Sequence, residues 1–171
     1  MNQWERLQHK MVSIETAKTI VSSWKTDDKK VVFTNGCFDI LHKGHVSYLA
    51  KAADLGDYLV IGINADSSVK KLNKGENRPI NDQQTRATVL SALEMIDLVV
   101  IFEEETPLNI IKELAPSVLV KGGDYNEKIA DKNNPKYIVG SDIVKENNGE
   151  VFTIPLEKGF STTSIIEKIK G

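Results

Sequence analysis

The sequence predicts an α/β fold built on a Rossmann-like, doubly wound, five-stranded parallel sheet, and three observations carry that prediction. Short, continuous apolar runs recur five times in the 171 residues, as expected of strands covered on both faces. Helical patterns separate the runs, which is the alternation of a parallel sheet. Chemistry-bearing residues collect just after the runs, where an open parallel sheet binds its ligands.

Residues 13–24 come first, with Ser13 as N-cap and Ile14, Ala17, Ile20 and Val21 on helical spacing. They place a helical extension in residues 1–28, ahead of a single domain in residues 29–171. Strand 31–34 opens that domain and helix 45–55 follows. Strand 58–64, helix 82–95 and strand 98–102 come next. Helix 107–114 takes Thr106 as cap and Pro107 as first residue, where a missing N–H costs nothing. Strand 118–121, helix 141–146, strand 151–154 and helix 163–170 complete the chain. Residues 126–140, rich in Asn, Lys and Asp, read as a surface loop near the ligand. The third strand runs into Glu103, Glu104 and Glu105, which repel phosphate, so it is expected at the sheet edge away from the site.

A length of 171 residues suits one domain, and 40% hydrophobic with 27% charged residues reads as soluble and globular. A formal charge of -2 argues against a nucleic-acid partner, which needs a basic face. No run approaches the roughly 18 apolar residues of a membrane span, and residues 1–10 are too polar for a signal peptide. The expected compartment is the cytoplasm, in keeping with the single Cys37.

The segment from Thr34 through Asn35, Gly36, Cys37, Phe38, Asp39, Ile40, Leu41, His42, Lys43 and Gly44 to His45 carries the most chemistry. A strand, a glycine turn and a helix start leave several N–H groups pointing together, and the helix dipole favours an anion there. Asn35 and the amides of Gly36 to Phe38 would cradle a phosphate. His42 and His45, three apart, share one helix face and suit charge that grows on a phosphate in a transition state. A zinc site is disfavoured by the single thiol, and Cys37 reads as a packing residue. Lys70, Lys71, Lys74, Arg78 and Arg86 concentrate positive charge after the second strand, and Arg86 can grip phosphate oxygens in a fork. Ser161, Thr162 and Thr163 precede an apolar-periodic helix, so one of them caps it, and the same hydroxyls and amides suit terminal phosphates. Asp66 is open between a magnesium or substrate contact and a helix cap.

His42-Lys43-Gly44-His45 resembles the H-x-G-H signature of the nucleotidyltransferase superfamily, whose fold this chain is then expected to share. Asn35-Gly36-Cys37-Phe38-Asp39 resembles its G-x-F-D turn, Gln84-Thr85-Arg86 its arginine, and Gly159-Phe160-Ser161-Thr162-Thr163 its closing G-x-S-T-T. Longer strings are most similar to the adenylyltransferases of bacterial ADP-heptose synthesis: Thr34 to Asp39, Asn64-Ala65-Asp66-Ser67-Ser68-Val69, Arg78-Pro79-Ile80 and Val120-Lys121-Gly122-Gly123-Asp124-Tyr125. The resemblance spans residues 12–170. It implies transfer of AMP from ATP to glycero-manno-heptose 1-phosphate with release of pyrophosphate, for lipopolysaccharide.

By the same resemblance His42, His45 and Arg86 are catalytic. Thr34, Asn35, Gly36, Cys37, Phe38 and Gly44 would bind the nucleotide together with Lys121, Gly122 and Asp124 beside base and ribose, and with Ser161, Thr162 and Thr163. Asp39, Asn64, Asp66, Lys70, Lys71, Arg78 and Tyr125 would meet the acceptor. Magnesium is expected on the ATP triphosphate, with no metal site of the protein's own. A homodimer and a separate heptose kinase complete the implied partners. One departure stands out: where cytidylyltransferases of the superfamily carry an arginine before G-x-S-T-T, this chain has Leu156, with Lys158 as a substitute cation. A cytidylyltransferase acting on glycerol 3-phosphate or another alcohol phosphate is the enzymatic alternative, and an ATP-sensing module the non-enzymatic one.

Overall fold

The computed structural model describes residues 1–72 and 78–170. In chain order the elements are α1 (Gln3–Lys10), β1 (Met11–Val12), α2 (Ile14–Thr26), β2 (Val31–Gly36), α3 (Lys43–Ala53), β3 (Tyr58–Asn64) and α4 (Asp66–Lys71). Then come α5 (Gln83–Ser91), β4 (Leu98–Phe102), α6 (Leu108–Leu114), β5 (Val118–Gly122), α7 (Ser141–Glu146), β6 (Glu150–Ile154) and α8 (Thr162–Lys170). The strands form one parallel sheet in the order β1-β4-β3-β2-β5-β6.

Side chains alternate across a strand, and both faces of this sheet are dry. On β2, Val31 and Phe33 pack with Ala17 and Val21 of α2 and with Ile110, Ile111 and Leu114 of α6. Val32 faces the other way, toward Leu49 and Ala52 of α3 and Ala87 and Leu90 of α5. Two-sided burial is why these strands read as unbroken apolar runs. Each such aliphatic side chain contributes about 1.5–3 kcal/mol when fully buried.

From β2 the chain winds outward through β3 to β4, then returns to lay β5 and β6 on the other side. The direction of winding reverses between β2 and β5. Their pairing covers only Val32 with Val118 and Phe33 with Leu119, while β2 continues to Gly36 and β5 to Gly122. The carboxyl ends therefore diverge and open a crevice, the place where doubly wound sheets bind ligands.

Several expectations need correction. The sheet has six strands among the described residues rather than five, because Met11 and Val12 pair with Val99 and Val100. The β4 strand is accordingly second from the edge. Residues 1–28 contribute that edge strand, two residues of the core, and α1, whose Asn2 and Glu5 form a capping box. Helix α6 begins at Leu108 with Pro107 as its cap residue, and no side chain caps it, so Thr106 does not fill that role. The 126–140 segment is not wholly superficial: Tyr137 and Ile138 are buried, Ile138 in the core. Lys74 lies outside the described residues. No helix among those residues is long and apolar enough to cross a membrane.

Candidate active site

A cleft of about 470 Å³ lies at the splayed ends of β2 and β5. The turn after β2 forms its floor with Asn35, Gly36, Cys37 and Phe38, and the end of β5 adds Lys121, Gly122, Asp124 and Tyr125. Backbone approaches closely here because Gly36 has no side chain: a Cβ on it would come within 3.0 Å of the Phe38 ring. Phe38 itself takes a left-handed conformation with φ 46°, which turns the chain from strand toward α3.

Both histidines stand at the start of α3. His42 is its N-cap residue, extended at φ -143° and ψ 170°, and its Nδ1 accepts from the His45 N–H at 3.4 Å. With Nδ1 accepting, the neutral ring carries its proton on Nε2. Burial lowers the pKa of His42 from its ordinary value, so the neutral form prevails at neutral pH. The two imidazoles stack with centroids 3.8 Å apart and planes 21° apart, and Phe38 meets His45 edge-on at 5.2 Å. Both histidines line the cleft. Gly44 between them touches the opposite wall, where a Cβ would sit 3.0 Å from the Phe160 Cβ and 3.1 Å from the His42 ring.

That wall is the segment entering α8. Ser161 and Thr162 line the cleft, whereas Thr163 does not. Ser161 Oγ accepts from the Ser164 N–H at 3.0 Å, the bond of a helix cap. Lys121 is buried on the floor, its ammonium bonded to Asn35 Oδ1 and 5.4 Å from the Tyr125 ring centroid. Burial raises the Tyr125 pKa, with the Asp124 charge adding to the effect.

Several residues expected to touch ligand instead hold the site together. Arg86 does not line the cleft and is 1% exposed. Its Nη1 donates to the Cys37 carbonyl at 2.8 Å, its Nη2 to the Asn64 carbonyl at 2.8 Å and to Asp66 Oδ1 at 2.7 Å, and its Nε to the Asn81 carbonyl at 3.0 Å. The guanidinium thereby staples the ends of β2 and β3 and the start of α4. Asp39 lines the cleft, but its buried carboxylate accepts from Arg78 Nε at 2.6 Å and from the Ile80 and Asn81 N–H groups at 2.9 Å. It ties the 78–81 loop to the β2 turn. Arg78 thus reaches the cleft on an aspartate tether. Thr34 lies beneath the floor, its hydroxyl 2.7 Å from the Tyr48 hydroxyl, and burial raises the Tyr48 pKa. Asn64 lines the cleft and donates to Ser68 Oγ at 2.9 Å. Lys70 and Lys71 are exposed at the end of α4 and, like Asp66, do not line the cleft.

Some cleft residues escaped sequence reasoning. Glu105, Thr106 and Pro107 line it, so the segment after β4 reaches the site despite its acidic run. Tyr48, one turn beyond His45 on α3, was legible by helical spacing. Leu156, Glu157 and Phe160 also line the cleft. Their signal was position, immediately before Ser161.

Comparison with known proteins bears on the family and the fold. The bifunctional protein HldE of Campylobacter concisus is 56% identical over 163 residues, 95% of this chain and 31% of the relative. The protein of the same name from Wolinella succinogenes is 49% identical over 96% of this chain and 32% of its own length. The chain therefore spans about a third of the curated relatives it matches. Among solved structures, the lipopolysaccharide core biosynthesis protein of Thermoplasma volcanium superposes with a TM-score of 0.58 at 26% identity, covering 77% of this chain and 99% of that one. Pantoate-beta-alanine ligase of Francisella tularensis shares the fold, with a TM-score of 0.60 at 16% identity over 94% of this chain and 76% of its own. The cytidylyltransferase-like family matches residues 33–168, the span that holds the turn after β2, both histidines and the cap of α8, and this chain belongs to that family.

Proposed function

We propose that this chain is an adenylyltransferase that transfers AMP from ATP to D-glycero-D-manno-heptose 1-phosphate, giving ADP-heptose and pyrophosphate for lipopolysaccharide core synthesis. The observation that carries the reading is the stacked His42 and His45 pair, opening on the same cleft as Ser161 and Thr162. A pair of ring N–H donors facing a hydroxyl-bearing helix start suits a chain of phosphates laid between them.

In this reading an acceptor phosphate oxygen attacks the α-phosphorus of ATP, and the bond to the bridging oxygen breaks in line. Positioning and charge neutralisation do most of the work, with no covalent intermediate. His42 donates from Nε2 to a phosphate oxygen, His45 supports the same charge, and the Gly36 to Phe38 amides hold the α-phosphate. Lys121, Gly122 and Asp124 serve the nucleoside, and Arg78 and Tyr125 the acceptor. Arg86 and Asp39 act through the loops they hold.

Magnesium, when bound, neutralises charge on the triphosphate. Glu105, Asp124 and Glu157 line the cleft, and no group of three or more His, Cys, Asp or Glu that could hold a metal ion occurs among the described residues. That donor set fits an ion held by phosphate and water. The acceptor assignment draws on the similarity to the HldE proteins and to the lipopolysaccharide core biosynthesis protein. A cytoplasmic homodimer belongs to the same proposal.

The test is pyrophosphate release from ATP or CTP with a panel of sugar and polyol phosphates. Turnover with ATP and the heptose 1-phosphate is expected. Turnover confined to CTP and glycerol 3-phosphate, or tight ATP binding with no turnover, would overturn the assignment.

A further inference from the structure

The wall that would carry the terminal phosphates is poor in positive charge. Ser161 and Thr162 offer hydroxyls, Leu156 an apolar side chain, and Glu157 brings a negative charge into the cleft. Lys158, the substitute suggested by sequence, is exposed and does not line the cleft. A polyphosphate laid along this wall meets repulsion unless a cation is supplied from elsewhere.

Lys43 does not itself line the cleft, but its ammonium touches two residues of that wall that do, Glu157 and Phe160. It is the first residue of α3, between His42 and Gly44, and its ammonium lies 3.5 Å from Glu157 Oε2 and 5.2 Å above the Phe160 ring. It spans from the histidine side of the cleft to the far wall. The Lys43 side chain is 66% exposed, so an ion pair so open to water is weak and exchanges at little cost.

We infer that Lys43 is the residue that holds the departing pyrophosphate, and that Glu157 occupies its ammonium until the nucleotide arrives. The inference rests on the adenylyltransferase reading. As one P–O bond forms at the α-phosphorus and the bond to the bridging oxygen breaks, the electron pair stays on pyrophosphate, which leaves more negative than the group it was. Lys43 passes from a singly charged carboxylate to this stronger anion, and no proton moves. Phe160 keeps the lysine stem close to the wall in the meantime.

The experiment measures binding of magnesium pyrophosphate by calorimetry, and its inhibition of turnover, in Lys43→Ala, Lys43→Arg and Glu157→Gln. Loss of one charge-assisted contact should weaken pyrophosphate roughly tenfold or more in Lys43→Ala. Lys43→Arg should stay close to wild type, and Glu157→Gln should bind pyrophosphate more tightly because the competitor is gone. Unchanged affinity in Lys43→Ala, or weaker binding in Glu157→Gln, would overturn the proposal. Failure of the underlying reading is separate, since it appears as absent turnover in the wild type with ATP and heptose 1-phosphate.

Discussion

Arg86 Nη1 donates to the Cys37 carbonyl at 2.8 Å, so a fully buried cation on α5 fixes the turn whose amides form the cleft floor. The same guanidinium holds Asn64 at the end of β3. Lysine cannot reproduce a planar fork. Arg86→Lys should remain folded, yet lower kcat on the order of 100-fold with a much smaller change in KM for ATP, because the floor is displaced rather than removed. Steady-state kinetics beside a far-UV spectrum check this, and a change confined to KM would assign Arg86 to ground-state binding instead.

His42 and His45 face one another at 3.8 Å, so each is positioned by the other as well as by α3. Removing a preorganised donor to a transition-state oxyanion costs on the order of 100-fold in kcat. His42→Ala and His45→Ala should each show that loss in the pyrophosphate-release assay. Near-normal rates in both would end the proposed roles.

Asp39 and Arg78 form a largely buried pair, with side chains 0% and 12% exposed. Asp39→Asn neutralises the partner of Arg78 and turns an amide toward the Ile80 and Asn81 N–H groups that the carboxylate now accepts. Breaking such a pair from one side costs about 3–5 kcal/mol. Urea denaturation should register a loss of that order, together with weakened acceptor binding as the 78–81 loop is released.

Gly44 shows how little room separates the two walls. A Cβ there meets the Phe160 Cβ at 3.0 Å and the His42 ring at 3.1 Å. Alanine favours a helix over glycine by up to about 1 kcal/mol, so global stability should change little. Gly44→Ala is expected to keep its melting temperature within a few degrees while losing at least about tenfold in kcat, because the His42 ring is pushed from its place.

How much of this was legible in the sequence follows from burial. Tyr58–Asn64 and Leu98–Phe102 declare their bounds because both faces of each strand are dry. Met11 and Val12 pair with β4 over only two residues, too few for any period. The α4 helix hid in a polar stretch that buries only Ser68 and Val69. The histidines, the β2 turn and the Ser161–Thr162 start were legible from spacing. Arg86 was found as a residue but not as a staple: a charged side chain in a helix reads as exposed, and only the fold brings the Cys37, Asn64 and Asn81 carbonyls around it. Glu105 was hidden because sequence offers no distance across a cleft, and Glu157 had only its place shortly before Ser161 as a signal.

The pH dependence of His42 gives a last test. Burial holds its folded pKa below the ordinary 6.5, so between those two values the unfolded chain binds more protons than the folded one. Stability from this group is therefore fully present above about pH 6.5 and declines as pH falls through that window. His42→Asn keeps a side-chain oxygen for the α3 cap but removes the titration. Urea midpoints at about pH 7.5 and about pH 5.5 should fall further for the wild type than for His42→Asn, with carboxylate contributions common to both cancelling. Equal losses in the two proteins would mean that the ring is as well solvated in the fold as in the unfolded chain.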